Sequence, residues 1–340
     1  MKPMQSIPWI NPPELAARIH DDFMVLLYSS AQTCYSGRYS YLACGLEDII
    51  ESSDFSTLSE NVSEAGPWHE NAWFGYLGYG LKNSLEQLTE DNQPSIITLP
   101  DMTMMRFSYL WRFDHETKTI EGWSKSGNLP DLQQHGAYDI PAIKNFTSNM
   151  TNASYQEKVH HIISDIHAGD LYQANLTRKF HGEFASTADG FSLFQRLCSI
   201  SPAPYSAYIR IRDISIISSS PELFLRITHD GNVTTRPIKG TSPRMADTTE
   251  DKKSYEKLAT SDKDKAENLM ITDLMRNDLA RTCTPGSIQV QDMFAITSHS
   301  NVHHMASTIT GRQQPEYHAL DTVKACFPPG SMTGAPKIKA

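Results

Sequence analysis

Lys239 lies in the segment RPIKGTSPR, where the chain leaves a predicted strand. Pro237 and Gly240 flank it closely, which predicts a tight, extended backbone, and Gly240 would let a ligand approach the main chain. A lysine held away from water at a strand end can act as a nucleophile through its neutral amine. The ordinary alternative is a solvated lysine in a turn, because most lysines are exposed.

Glu222 is a candidate for acid–base chemistry in the segment SSSPELF. Pro221 restricts the residue before it to extended geometry, so the chain should enter the next strand stiffly. A partly buried carboxylate at that point could act as a general acid or base. A surface acid at a strand end is the alternative interpretation.

Glu267 lies in a predicted helix over residues 266–281. A helix with about 3.6 residues per turn places Glu267 on one side with the apolar residues Met270, Ile271 and Leu274. A charge on an apolar face should be paired or bound to a cation, and Mg²⁺ favours carboxylate oxygens. An ion pair with a nearby Arg or Lys explains the pattern equally well.

The segment CFPPGSMTGAPKIKA is the strongest candidate for binding a phosphate or a carboxylate. Small and hydroxyl residues predict a flexible loop with available backbone N–H groups: Gly330, Ser331, Thr333 and Gly334. Pro336 stands where a helix could begin, and the N-terminus of a helix attracts anions. The spacing of a nucleotide-binding P-loop is missing.

His303 and His304 form a pair on a predicted strand. Adjacent strand residues point to opposite faces, so the two side chains cannot easily bind one metal ion. One of them could face a site while the other faces solvent or the core. Satisfied structural histidines are the alternative.

The surrounding pattern predicts the elements that must position these residues. Strands are predicted over 23–30, 72–81, 104–114, 171–180 (LYQANLTRKF), 205–212, 214–220 and 222–238, the last with a hairpin turn at Asp-Gly, and helices over 154–170 and 190–200. The interleaved glycines of the segment 72–81 predict that another backbone comes close, and the helix over 154–170 is predicted to have one apolar face. Sheet segments with helices between them indicate an α+β fold.

Composition narrows the possible functions. The chain has 340 residues, of which 39% are hydrophobic, and a net charge of −9 without a long basic run, so a nucleic-acid partner is not expected. The apolar runs are only strand-sized, so no membrane span is predicted. Five widely spaced cysteines without a CxxC pair are typical of a reducing cytoplasm.

Several segments together resemble the chorismate-utilising enzyme family. They are GDLYQANLTRKF, SPAPYSAYI, SSSPELF, TRPIKGTSPR, AENLMITDLMRNDLAR, HHMASTITG and GSMTGAPKIKA, which follow the family order over residues 154–340. The resemblance implies antiparallel β-sheets sandwiched with outer helices in two intertwined lobes. It also implies an N-terminal segment like anthranilate synthase component I over 1–125 and a truncated chorismate-binding catalytic domain over 151–340. Between them, glycines, prolines and many polar residues predict a linker over 126–150.

Within this family, the PIKGT form resembles aminodeoxychorismate synthases, whereas anthranilate synthases carry Ala in place of Lys239. The resemblance implies that Lys239 attacks C2 of chorismate, and that Glu222 protonates the leaving 4-hydroxyl. Ammonia from a glutamine amidotransferase partner would then enter at C4. The product would be 4-amino-4-deoxychorismate, which leads to 4-aminobenzoate and folate.

The same resemblance assigns further roles. Glu267 would bind Mg²⁺, Gly240 and Thr241 would contact the substrate, and His304 would line the pocket. The loop from Gly330 to Gly334, including Ser331 and Thr333, would offer backbone donors to the substrate. Ser29, Pro204, Tyr205 and Ser206 match a tryptophan-binding pocket.

The sequence departs from the family in two places. Pro329 replaces a usual glycine, and family chains continue well beyond Ala340, so we expect a C-terminally truncated, inactive fragment with uncovered apolar surface. Anthranilate synthase component I is the nearest alternative function. A non-catalytic tryptophan-binding protein or an inactive fragment is the alternative of another class.

Overall fold

The computed structural model describes residues 1–4, 7–33, 35–62, 67–86, 98–133 and 139–339. The chain forms two compact units, each built from two separate stretches. The first unit is Met1–Ile140 with Ala188–Pro221, and the second is Pro141–Thr187 with Glu222–Ala340. The stretches of the two units therefore alternate along the chain.

The predicted domains follow the chain in order, whereas the observed units do not. Residues 188–221 belong to the first unit because their two strands extend its sheet. Residues 134–138 of the predicted linker lie outside the described residues. That the linker over 126–150 separates an N-terminal segment from a catalytic domain stays a prediction.

The strands and helices alternate along the described residues. In chain order the strands are β1 (Lys2–Pro3), β2 (Phe23–Tyr28), β3 (Tyr39–Ser52), β4 (Phe74–Leu77), β5 (Met102–Asp114), β6 (Thr119–Ser124), β7 (Ile143–Ser148), β8 (Gln173–Ala174), β9 (Phe180–Phe184), β10 (Tyr205–Ile211), β11 (Ile214–Ser220), β12 (Leu223–Ile227), β13 (Asn232–Arg236), β14 (Ile238–Pro243), β15 (Gln289–Ser298), β16 (Val302–Arg312) and β17 (Gly334–Ala335). The α-helices are α1 (Pro12–Ala16), α2 (Phe55–Asn61), α3 (Lys82–Leu85), α4 (Asn152–Ala168), α5 (Gly190–Ile200), α6 (Thr248–Ala259), α7 (Asp262–Ala280) and α8 (Ala319–Cys326). Short 3₁₀ helices span Trp68–Glu70 and Tyr79–Leu81.

The first unit is built around an antiparallel sheet in the order β1-β6-β5-β3-β2-β10-β11, with β4 also paired to β5. Along β2, Met24 and Leu26 join one apolar cluster with Trp111, while Val25 joins a second cluster with Phe107. Alternate residues of a strand point to opposite faces, so both faces of this sheet are covered. This explains the unbroken apolar run at residues 23–28.

The predicted strand over residues 72–81 is shorter in the structure, because the chain turns into a 3₁₀ helix after β4. Its expected close backbone approach is confirmed at Gly75. A Cβ atom on Gly75 would stand 1.9 Å from the carbonyl oxygen of Thr103 on β5. Only glycine fits this position without moving a strand.

The main sheet of the second unit has the antiparallel order β12-β13-β16-β14, with β15 also paired to β16. The predicted hairpin is confirmed, with Gly231 at φ +80° between β12 and β13. Helix α7 packs its buried face on this sheet, and Ile271 and Met275 join Val233 and Ile309 in an apolar core. The predicted α+β class with antiparallel sheets is confirmed.

Helix α4 also agrees with the prediction, and Gly169 ends it in the left-handed conformation at φ +81°. Its predicted apolar face is not buried, since every residue of α4 is at least partly exposed. The predicted strand LYQANLTRKF is only partly formed, as the short strands β8 and β9 separated by an irregular stretch. Across the described residues, none of the helices is long and apolar enough to pass through a membrane.

Candidate active site

Lys239 lies within β14 and is half-buried, so the alternative of a solvated turn lysine does not describe its surroundings. Its side chain crosses to the loop near the end of the chain. The Nζ atom donates a hydrogen bond to the carbonyl oxygen of Ser331 at 3.1 Å. The amine is thereby held at a defined position between a sheet and a loop.

Glu222 lies immediately before β12, and its carboxylate is bound through both oxygens. Oε2 accepts a hydrogen bond from the N–H of Ile238 at 3.2 Å, and Oε1 accepts one from the Ser331 hydroxyl. Burial raises the pKa of this carboxyl group, while the two hydrogen bonds and the charge of Lys239 offset part of the rise. A carboxyl group with a raised pKa can hold a proton and deliver it.

Ser331 connects these two residues. Its main-chain oxygen accepts from Lys239, and its hydroxyl donates to Glu222, which lies 109 residues away in the sequence. The amine of Lys239 and the carboxyl group of Glu222 are therefore both hydrogen-bonded to Ser331, in a partly buried site. This arrangement suits a nucleophile and an acid that act on the same small molecule.

The loop from Gly330 to Gly334 is buried except at Met332, which is 61% exposed. Part of its backbone bonding is internal, since the N–H of Met332 donates to the oxygen of Pro329 at 3.0 Å. From Pro336 to residue 339 the chain forms a turn, in which the N–H of Lys339 donates to the oxygen of Pro336 at 3.2 Å, so the helix expected to begin at Pro336 stays a prediction. Strand β17 pairs with β8 just before that turn.

Thr241 and His304 face each other across β14 and β16. The Thr241 hydroxyl and the Nδ1 atom of His304 lie 3.1 Å apart. Burial, with a smaller effect of nearby His299, lowers the pKa of His304 to about 4, so the ring is neutral near neutral pH. His304 can therefore line a site for an anion only as an uncharged hydrogen-bonding group.

His303 points to the other face of β16, as the alternation predicted. It is only 2% exposed, and its ring nitrogens meet the Ser298 hydroxyl at 2.8 Å and the Asp251 carboxylate at 3.2 Å. This residue is the satisfied structural histidine of the pair.

Gly240 adopts φ +98°, which favours glycine strongly. The side of its α-carbon where a Cβ atom would stand is occupied by Asp264 at 3.0 Å and Leu258 at 3.2 Å. The expectation that the missing side chain makes room for a ligand is therefore wrong on that side. The glycine allows α6 and α7 to pack closely against β14.

Glu267 does not lie at the centre of the buried face of α7. The sheet covers a neighbouring line of residues, so Glu267 is at its edge with its side chain 35% exposed and 3.7 Å from the Lys263 ammonium. No group of three or more His, Cys, Asp or Glu side chains suited to a metal ion occurs in the described part of the chain. One accessible carboxylate still fits the usual mode of Mg²⁺, which takes one or two carboxylates and completes its shell with water and substrate oxygens.

The predicted tryptophan pocket lies in the first unit. Strand pairing of β2 with β10 brings its residues together, and the Ser29 hydroxyl donates to the oxygens of Tyr39 at 2.7 Å and Pro204 at 3.1 Å. Ser206 bonds the Ser30 hydroxyl at 2.9 Å, and Tyr205 begins β10 beside it. These hydroxyls are largely used by neighbouring protein groups.

Two asparagines near Lys239 were not among the residues predicted to form the site. Asn175 donates from Nδ2 to the oxygen of Ser331 at 2.8 Å, and the fully buried Asn268 donates to the oxygens of Lys239 at 3.5 Å and Met305 at 3.4 Å. Both lie in the recognised motifs GDLYQANLTRKF and AENLMITDLMRNDLAR. An asparagine inside an apolar helical pattern was the available signal for Asn268.

The ordered motifs and the antiparallel two-unit fold agree with a known family. The family described as "chorismate binding enzyme" matches residues 24–340. The chain therefore belongs to the chorismate-binding enzyme family.

Individual relatives narrow the resemblance. The chain is 39% identical over 301 residues to "Aminodeoxychorismate synthase component 1" of Escherichia coli (strain K12), covering 87% of this chain and 65% of the relative. It is 33% identical over 361 residues to the protein of the same name in Salmonella typhimurium, covering 99% of this chain and 78% of that one. The chain thus spans 65% to 78% of the length of these two relatives.

A solved structure supports the fold. Anthranilate synthase component I from Streptococcus pneumoniae TIGR4 matches with a TM-score of 0.76 and 24% identity, covering 91% of this chain and 76% of the other. At this identity the likeness establishes the fold alone.

Proposed function

We propose that the full protein to which this chain belongs catalyses the conversion of chorismate and ammonia to 4-amino-4-deoxychorismate and water. The observation that carries the proposal is the position of Lys239, whose amine is linked through Ser331 to the buried carboxyl group of Glu222. The relatives named aminodeoxychorismate synthase component 1 support the same activity. The product would serve the synthesis of 4-aminobenzoate and folate.

The reaction would proceed in two displacements. Nζ of Lys239, reacting as the free amine, forms a bond to C2 of chorismate, the two ring double bonds shift towards C4, the C4–O bond breaks, and Glu222 gives its proton to the departing hydroxyl, which leaves as water. Ammonia then bonds to C4, the two double bonds shift back, and the bond from C2 to Nζ breaks and frees Lys239. Glu222 regains its proton from the ammonium formed at C4, so one ammonia has replaced one hydroxyl.

The remaining predicted residues would hold the substrate. Thr241, His304 and the loop Gly330–Gly334 would line the pocket, and Ser331 and Thr333 of that loop are buried. The uncharged His304 ring leaves charge neutralisation to other groups. Glu267 would hold Mg²⁺ with water and the substrate, and the ion would supply positive charge for a chorismate carboxylate.

The ammonia would come from a partner. The relatives bear the name "component 1", which supports a second component, and we propose that it is a glutamine amidotransferase. A cytoplasmic location, and tryptophan binding by the pocket at Ser29, Pro204, Tyr205 and Ser206, are further parts of this proposal.

The test is turnover of chorismate by the full protein with ammonium and Mg²⁺, followed by mass spectrometry of the products. The wild type should form 4-amino-4-deoxychorismate, and Lys239→Ala should lose this activity. Lys252→Ala is the matched control, since Lys252 is exposed and pairs with Glu256 on α6.

Other outcomes identify the alternatives. Formation of 4-amino-4-deoxychorismate by Lys239→Ala at the normal rate would refute the lysine mechanism. Formation of anthranilate by wild type and variant alike would indicate anthranilate synthase component I. A protein that makes neither product, yet binds tryptophan in calorimetry, would be a non-catalytic binding protein.

A further inference from the structure

The side-chain amide of Asn175 reaches the candidate site from the stretch after β8. Its Nδ2 atom donates to the carbonyl oxygens of Ser331 at 2.8 Å and Thr333 at 3.0 Å. The backbone N–H of Asn175 also donates to Thr333 at 3.0 Å. One residue therefore holds two carbonyl groups of a loop 156 residues away in the sequence.

The Ser331 carbonyl has a second donor. Lys239 donates to the same oxygen from Nζ at 3.1 Å, while the Ser331 hydroxyl donates to Glu222. A displacement of the Ser331 backbone would therefore move the contact of the amine and the contact of the carboxyl group together. Asn175 touches neither Lys239 nor Glu222 in these bonds, and Ser331 is the residue that all three contact.

We propose that Asn175 is a positioning residue whose amide fixes the Ser331 backbone so that Ser331 meets Lys239 and Glu222 at once. The inference rests on the proposed function, because it assigns Asn175 a part in the same reaction. An amide suits the position because both partners are acceptors. An aspartate would place a third acceptor against two carbonyl oxygens, and a leucine would leave both without this donor.

The position of Ser331 also affects the protonation of Glu222. Burial raises its pKa, whereas the Ser331 hydroxyl, the N–H of Ile238 and the charge of Lys239 favour its ionised form. Without a well-placed Ser331 hydroxyl, the pKa of Glu222 rises further. Activity that needs protonated Glu222 disappears as pH rises through that pKa, so the descending limb of the pH profile moves to higher pH.

The experiment compares Asn175→Leu, Ser331→Ala and the double variant in the full protein with chorismate, ammonium and Mg²⁺. Asn175→Leu should lower kcat about 10- to 100-fold, with a smaller change in KM, because the reacting groups are misplaced. Its descending limb should move up by about one pH unit. In the Ser331→Ala background, Asn175→Leu should not move that limb again.

One further variant is a control, and another is a substitute for Asn175→Leu. Asn149→Leu removes another amide of the second unit, whose oxygen accepts from the N–H of Lys179 at 2.8 Å, and should leave kcat and the limb unchanged. Asn175→Asp conserves shape and replaces Asn175→Leu where the leucine variant does not fold. Hydrogen exchange of the amides of residues 330–335 should become faster in either Asn175 variant.

The outcomes separate this inference from the function. Faster exchange in the loop with an unmoved pH limb would make Asn175 merely structural and overturn the inference. A second limb shift in the Ser331→Ala background would also overturn it, because Asn175 would then act by another route. A wild-type protein without activity towards chorismate would overturn the proposed function and this inference together.

Discussion

At the scale of single residues, Glu222 combines burial with full hydrogen bonding. Burial alone would favour a neutral carboxyl group, and the donors from Ser331 and Ile238 favour the anion. Burial is the larger effect, so the pKa is raised. A group balanced in this way can change protonation during a reaction without leaving its place.

The first prediction concerns the pH dependence of stability. The folded state binds the Glu222 proton more tightly than the unfolded state, so this contribution is complete below the ordinary pKa of glutamate. It is lost as pH rises through the raised folded pKa. Glu222→Gln has no such proton to lose, and its free energy of unfolding should rise relative to wild type over that interval.

Urea unfolding at a series of pH values between about 4 and about 7 measures this difference. Glu256→Gln is the control, since Glu256 is 58% exposed on α6. A difference between Glu222→Gln and wild type that does not vary with pH would contradict the raised pKa.

At the scale of elements, close approach of backbones decides where glycine is required. Strand β4 lies so near β5 that the space beside Gly75 is taken by the Thr103 carbonyl. At Gly169 the requirement is different, since φ is +81° and nothing lies within 4 Å of the added Cβ position. One glycine is needed for space and the other for conformation.

The second prediction compares these positions. Gly75→Ala should lower the free energy of unfolding by about 2–3 kcal/mol, because a strand must move to admit the methyl group. Gly169→Ala should cost about 1 kcal/mol, which is the strain of a left-handed conformation. Denaturant unfolding measures both, and a Gly75→Ala variant no less stable than Gly169→Ala would disprove the steric argument.

Elements also explain one wrong expectation about the site. The helical period groups Glu267 with Ile271 and Leu274, but the sheet covers the line through Asn268, Ile271 and Met275 instead. The two lines differ by a small rotation of the helix. Periodicity identifies an apolar side within about one residue, and the packing partner selects the residues that are buried.

At the scale of the whole molecule, the thiols are distributed through two cores. Cys44 and Cys198 are buried in the first unit, and Cys283 and Cys326 in the second. Burial raises the pKa of each of the four, to about 12 for Cys326. Thiols of this kind are poor nucleophiles. The remaining residue, Cys34, lies outside the described residues.

The third prediction follows from that distribution. In the native protein these four thiols should react slowly with a disulfide reagent at mildly alkaline pH, and all should react quickly after denaturation. Counting the released chromophore per chain measures the result. Fast reaction of two or more thiols per native chain would show that at least one of the cores is open.

Local elements of this molecule could largely be predicted from the sequence. Strands at 205–211 and 214–220 and the helices α5 and α7 agree with their patterns, because alternation and helical period reflect which faces are buried. The exposed face of α4 could not be predicted, since periodicity describes an apolar face without stating what covers it. The place of residues 188–221 in the first unit could not be predicted from local pattern either, because these residues join a sheet that begins with the N-terminal strands.

The amino-acid sequence by itself determined the types of the reacting groups and the strands and helix that carry them, since these depend on short-range pattern and on motifs in order. Only the tertiary structure decided that Ser331 lies between Lys239 and Glu222 and that Asn175 holds it there. The contact between Lys239 and Ser331 spans 92 residues of sequence. Such contacts depend on how sheets and loops pack, and local propensity carries no information about contacts between residues so far apart in the sequence.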